Sequence, residues 1–135
     1  MSAIDVDRLV ARAEEARSQA YAPYSGYRVG AALLAADGTI VTGCNVENGS
    51  YGLTICAERT AVCRAVAEGR REFLALAIAA SGERTPYPCG ACRQVLAEFC
   101  PPGMPVCIRR ADGGVEQRKL GDLLPDAFTL EPPHP

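Results

Sequence analysis

Two short segments of the chain carry residues able to do chemistry together. Cys56-Ala57-Glu58 sets a thiol two residues before a carboxylate, and Pro88-Cys89-Gly90-Ala91-Cys92 sets two thiols three residues apart. Thiolate is the metal-binding form of cysteine, and a helix N-terminus lowers a thiol's pKa. On a helix, a spacing of three brings Cys89 and Cys92 to one side. Three protein ligands is the count of a catalytic zinc, which keeps its fourth position for water, whereas a structural zinc takes four. Cys63, about two turns further along from Cys56, is badly placed to be that fourth ligand. A carboxylate beside a metal-activated water can take its proton and hand it on, so Glu58 is the candidate acid and base. Zinc with three thiolates is formally negative. Two helix N-termini offset about half a charge each, and Arg59, directly after Glu58, is a candidate donor to a thiolate that trims the rest.

Elements must bring these segments together. Apolar residues at Val6, Leu9, Val10, Ala13, Ala16 and Ala20 form one stripe, which predicts a helix over 5–20. Val29–Ala36 is a nearly continuous apolar run, and Asp37-Gly38 turns it into a returning strand over Thr39–Val46. The polar segment Asn45–Thr54 reads as a loop. Ile55–Glu68 reads as a helix stopped by Gly69, with Cys56 just inside its start. Phe73–Ala80 is a strand, Cys89–Phe99 a helix, Val106–Arg109 and Val115–Arg118 short strands, and Leu120–Leu124 a short helix. The pattern is an α/β domain on a mixed five-stranded sheet. In such sheets helix starts follow the carboxyl ends of strands, where ligands bind. Two consecutive crossover helices bring Cys56, Cys89 and Cys92 to one edge.

Length and composition narrow the function class. At 135 residues one domain is expected, over 1–135, with a core of about 5–128 and a Pro-rich tail at 129–135. A net charge of -2 disfavours a nucleic-acid surface, which needs clustered Lys and Arg. No stretch is long and apolar enough to predict a membrane span. The segment Met1–Asp5 lacks the basic and apolar regions of an export signal, and seven cysteines is an odd count for a disulfide framework. The expected location is cytoplasmic. Cys44, Cys63, Cys100 and Cys107 read as packing residues. His134, the only histidine, sits in the tail and reads as solvated.

The Cys-x-Glu and Pro-Cys-x-x-Cys pair resembles the signature of zinc deaminases. Longer stretches resemble the cytidine deaminase family, in its small homotetrameric form. They are Tyr21 to Leu33, Gly43 to Asn48, Cys56 to Ala61, Pro88 to Val95 and Leu123 to Phe128. The resemblance implies a three-layer domain with helices on both sheet faces. It implies one Zn2+ per subunit on Cys56, Cys89 and Cys92, with water on zinc activated by Glu58. Asn45 and Glu47 resemble the pair that binds ribose hydroxyls, and the Ala57 N–H the donor to the pyrimidine carbonyl. Tyr27 stands beside the base where the family usually carries Phe. Tyr51 and Phe128 match aromatics that neighbouring subunits lend to the site. The implied reaction turns cytidine and 2'-deoxycytidine into uridine and 2'-deoxyuridine plus ammonia, in pyrimidine salvage. The carboxylate of Glu47 near the sugar disfavours a nucleotide phosphate. Three other readings compete: a different deaminase on the same scaffold, of the blasticidin or deoxycytidylate type, a non-enzymatic zinc module, and a zinc-free redox Cys-x-x-Cys protein.

Overall fold

The computed structural model describes residues 4–130; residues 131–135 of the expected tail, His134 among them, lie outside the described residues. Helix α1 spans Val6–Arg17. It starts because the Asp5 carboxylate accepts the Arg8 N–H at 3.1 Å, satisfying a donor that the first turn leaves free. Strands β1 (Val29–Ala35) and β2 (Ile40–Cys44) form the predicted hairpin. The second strand stops short of the predicted Val46. Val46 instead exchanges two 2.9 Å backbone bonds with Ile55 across the intervening loop, which holds one 3-10 turn at Tyr51–Leu53. The same pairing keeps Ile55 extended, so helix α2 is Ala57–Ala67 and cannot begin at Ile55 as the sequence predicted. Then follow β3 (Phe73–Ala80), α3 (Gly90–Phe99), β4 (Pro105–Arg109), β5 (Val115–Lys119) and the single turn α4 (Leu120–Leu123).

The five strands lie in the order β2-β1-β3-β4-β5. β1 is antiparallel to both neighbours, so β2 and β3 run the same way; β3 and β4 are paired parallel. Both β2 and β3 therefore hand the chain to a helix at the same end of the sheet. That is the arrangement the two cysteine segments require.

The sheet is covered on both faces, which is why β1 and β3 read as unbroken apolar runs. On one face Leu33, Leu76, Ile78, Val106 and Ile108 pack with Ala61, Val62 and Leu96 from the α2 and α3 side. On the other, Leu9, Val10 and Ala13 of α1 pack on Ala32, Ala75, Ala77 and Ala79. These small strand residues let α1 lie close. At Gly30 a Cβ would stand 2.0 Å from the Ala13 carbonyl oxygen, and at Gly43 one would stand 2.4 Å from the Ala61 nitrogen. The backbone of α2 thus rests directly on β2. This contact fixes the helix whose start carries Cys56 and Glu58.

Candidate active site

The three sequence-predicted ligands converge. The sulfurs of Cys56, Cys89 and Cys92 lie within 4.8 Å of one another. Cys56 and Cys89 are 3.7 Å apart and Cys89 and Cys92 are 3.3 Å apart. Cys63 is exposed and outside this cluster. One refinement concerns the helix ends. Cys56 is the cap of α2 and Cys89 the cap of α3, each one residue before the first helical position. The Cys89 sulfur takes the role usual for Ser or Asp, accepting the Cys92 N–H at 3.5 Å. Two helix N-termini thereby aim their positive ends at the sulfurs.

The electrostatics favour an anionic sulfur at Cys56. Cys92 donates to Cys56, and with Arg59 it brings the Cys56 thiol down to about 5. Cys92 is held in the opposite direction, first by that same bond and then by burial. Arg59 Nη2 donates to the Cys56 sulfur and to the Thr54 carbonyl oxygen, both at 3.4 Å. Its Nε is buried and finds no acceptor among the described residues. The thiolate and the loop carbonyl are therefore the guanidinium's acceptors in the site.

Three soft sulfur donors at these separations suit zinc. With Zn–S of about 2.3 Å, tetrahedral geometry sets sulfurs about 3.8 Å apart. The observed spacing needs little adjustment to reach it. Among the described residues the cluster offers three donors and no fourth, so a zinc held there would keep a position for water.

Glu58 lies in the first turn of α2 and is 4% exposed. Burial, then the neighbouring Cys56 thiolate, pushes its carboxyl up to about 7. It lines a cavity of about 280 Å³ together with Cys56, Ala57, Cys89, Tyr27, Asn45 and Glu47. Seven of the predicted site residues thus share one cavity. Burial and the Glu58 charge push the Tyr27 phenol up.

Asn45 and Glu47 each carry a second job. The Asn45 amide accepts the Val29 N–H and donates to the Tyr27 carbonyl, both at 2.8 Å, so it braces the entry to β1. The Glu47 carboxylate accepts the N–H groups of Tyr24 (2.9 Å) and Ser25 (3.1 Å), and the Ser25 hydroxyl. Those bonds hold its carboxyl below the usual range.

The structure does not bring Tyr51 or Phe128 of this chain into the cavity. Tyr51 is 78% exposed and lines an adjoining cavity of about 410 Å³ with Tyr24, Ser25, Asn48, Glu47 and Thr54. Phe128 is 71% exposed, tied only through its carbonyl to the Gln94 amide. Sequence reasoning missed Thr54, Val29, Ile78, Pro86 and Tyr87, which complete the walls. Tyr87 carried one usable signal: it sits two residues before the ligand Cys89.

Comparison with known proteins agrees with this geometry. The model of the cytidine and deoxycytidylate deaminase zinc-binding region matches residues 4–108. A cytidine deaminase of Sporosarcina psychrophila is 54% identical over 128 residues, spanning 95% of this chain and 94% of that protein. One of Halalkalibacterium halodurans is 49% identical over 128 residues, spanning 95% and 97%. The crystal structure of cytidine deaminase from Burkholderia pseudomallei superposes with a TM-score of 0.88 at 48% identity, over 93% of this chain and all (100%) of that one. That from Mycobacterium tuberculosis gives 0.84 at 46% identity, over 95% and 100%. With three thiols set for zinc, a buried carboxyl beside them and these relatives along nearly its whole length, the chain belongs to the cytidine deaminase family of zinc enzymes.

Proposed function

We propose that this enzyme deaminates cytidine and 2'-deoxycytidine, adding water at C4 and releasing ammonia to give uridine and 2'-deoxyuridine. The observation that carries the reading is Glu58, buried beside the three-thiol cluster in a cavity sized for one small molecule. Cys56, Cys89 and Cys92 would hold zinc, which when bound acts as a Lewis acid and lowers the pKa of water. Glu58 does the proton work. A carboxyl near 7 both accepts and donates at neutral pH, the condition for an efficient acid and base. It takes the proton of the attacking water, delivers one to ring N3 and passes another to the departing amine. Atoms balance: cytidine plus water gives uridine plus ammonia.

Other residues orient the nucleoside. Ala57 stands at the first position of α2, where helical N–H groups have no intrahelical acceptor, and serves the pyrimidine carbonyl oxygen. Asn45 has one amide hydrogen left after bracing Tyr27, and Glu47 presents a half-buried carboxylate whose oxygens can accept further bonds; together they bind the ribose hydroxyls. Tyr27 flanks the base, and Arg59 balances the charge of the thiolates. Free cysteines throughout support a reducing, cytoplasmic setting and a role in pyrimidine salvage.

A homotetramer fits the surface. Tyr21, Val46 and Ile55 are exposed and linked by backbone bridges, and Tyr24 meets Tyr51 edge-to-face at 6.3 Å. Contiguous apolar surface of this kind marks an interface. Tyr51 and Phe128, idle in their own subunit, then serve a neighbour's cavity.

Ammonia release from cytidine, 2'-deoxycytidine and cytidine monophosphate tests the substrate class. Both nucleosides are expected to turn over and the nucleotide to be refused, because Glu47 repels its phosphate. Equal turnover of the nucleotide would overturn the nucleoside reading.

A further inference from the structure

The loop 81–88 links β3 to α3 and carries one wall of the cavity up to Cys89. Its ends are fixed by hydrogen bonds: the Ser81 N–H donates to the Arg28 carbonyl at 2.9 Å, and the Arg93 side-chain Nε donates to the Pro88 carbonyl at 2.7 Å. Tyr87 lies between buried Pro86 and Pro88, yet is itself 46% exposed. Tyr87 lines the cavity, and with nearly half its surface exposed, packing alone does not hold it there. What holds it comes from a distant part of the chain. The Tyr87 hydroxyl donates to Glu116 Oε2 at 2.6 Å. Glu116 in turn accepts from Arg118 Nε at 2.9 Å, and the Arg118 guanidinium lies 5.6 Å from the centre of the Tyr87 ring. Glu116 and Arg118 alternate along β5 and so share one face of it.

We propose that Tyr87, Glu116 and Arg118 form a latch by which the edge strand β5 positions the cavity wall and the loop that presents Cys89. A charge-assisted bond with a cation against the ring fixes both the tip and the plane of the tyrosine. Glu116 is well placed to act as the fixed partner: its side chain is only 19% exposed, and the two donors keep its carboxyl below the usual range. With its hydroxyl hydrogen donated to Glu116, Tyr87 has no polar hydrogen left to offer the cavity. Tyr87 is a wall residue; Glu116 and Arg118 are positioning residues that act through it.

The kinetic arm of this inference rests on the nucleoside reading, and the metal arm does not. Zinc-loaded Tyr87→Phe, Glu116→Ala and the double variant are compared with wild type in cytidine kinetics and in zinc release to a chelator. Each single variant is expected to raise KM and speed zinc release about three- to tenfold, the size of one part-exposed charged bond, with kcat within about twofold. The double variant should match the singles, because both break the same link. Single variants with wild-type KM and release rate, or a double variant whose effects multiply, would overturn the latch. If wild type leaves cytidine untouched, the substrate reading fails, and zinc release alone decides the latch.

Discussion

Glu58 and Arg59 are neighbours with opposite tasks, and their placement follows from one helix turn. Glu58 is buried toward the cavity, while Arg59 reaches back past Thr54 to the Cys56 sulfur. Burial raises the Glu58 carboxyl more than the Arg59 charge lowers it, so it holds its proton more tightly than an exposed carboxylate does. The Arg59 guanidinium itself donates to the Cys56 sulfur. Replacing Arg59 by Gln should therefore weaken zinc retention, by roughly 10–100-fold as for other groups that orient metal ligands. A chelator-competition titration measures this; unchanged zinc affinity would contradict the role. The ligands and Glu58 were legible in the sequence because spacing alone carries them: a thiol beside a carboxylate and a Cys-x-x-Cys pair have few other uses together. Tyr87 was not. A tyrosine between two prolines reads as loop, and only Glu116, 29 residues away in sequence, reveals what holds it. The bracing job of Asn45 was hidden for the same reason, since its partners lie on the other side of the hairpin.

At the scale of elements, the site depends on how closely α2 sits on β2. The apolar runs and turns gave the order of strands and helices, and Phe73–Ala80 came out with the bounds its sequence predicts. Ends were less legible. Val46 and Ile55 both look like residues that continue a strand or a helix, and their mutual pairing across a loop removes them from each. That pairing displaces the start of α2 by two residues, which turns Cys56 from a helical residue into an extended cap. Gly43 measures the closeness of the packing. In Gly43→Ala the added methyl would meet the α2 backbone at 2.4 and 2.6 Å, and backbone cannot rotate away. Overpacking of this sort costs roughly 1–3 kcal/mol or more. Thermal unfolding of the zinc-loaded protein should show a clearly lowered midpoint with reduced activity. A wild-type midpoint would contradict direct helix-on-strand contact.

Beside the cavity that Glu58 lines, the molecule exposes Tyr24, Tyr51 and Ile55, the first two on an adjoining cavity. A single copy brings the three thiols and Glu58 together, but its own Tyr51 and Phe128 are exposed and do not line that cavity. Sedimentation of the zinc-loaded protein is expected to give a tetramer, with Tyr51→Ala lowering turnover through the neighbouring site. A monomer with full activity would contradict shared sites. Sequence patterns could not show this surface, because exposure is a property of the folded chain; only resemblance pointed to it. The central claim is that Glu58 moves protons beside a zinc held by Cys56, Cys89 and Cys92, and one measurement reaches it most directly. Cytidine turnover and bound zinc are determined side by side in wild type and Glu58→Ala. The predicted result is about one zinc per chain in both, turnover in wild type, and a loss of about 10⁴-fold or more in the variant, the upper end for general acid and base work. Activity within about tenfold of wild type in a zinc-loaded Glu58→Ala would contradict the account.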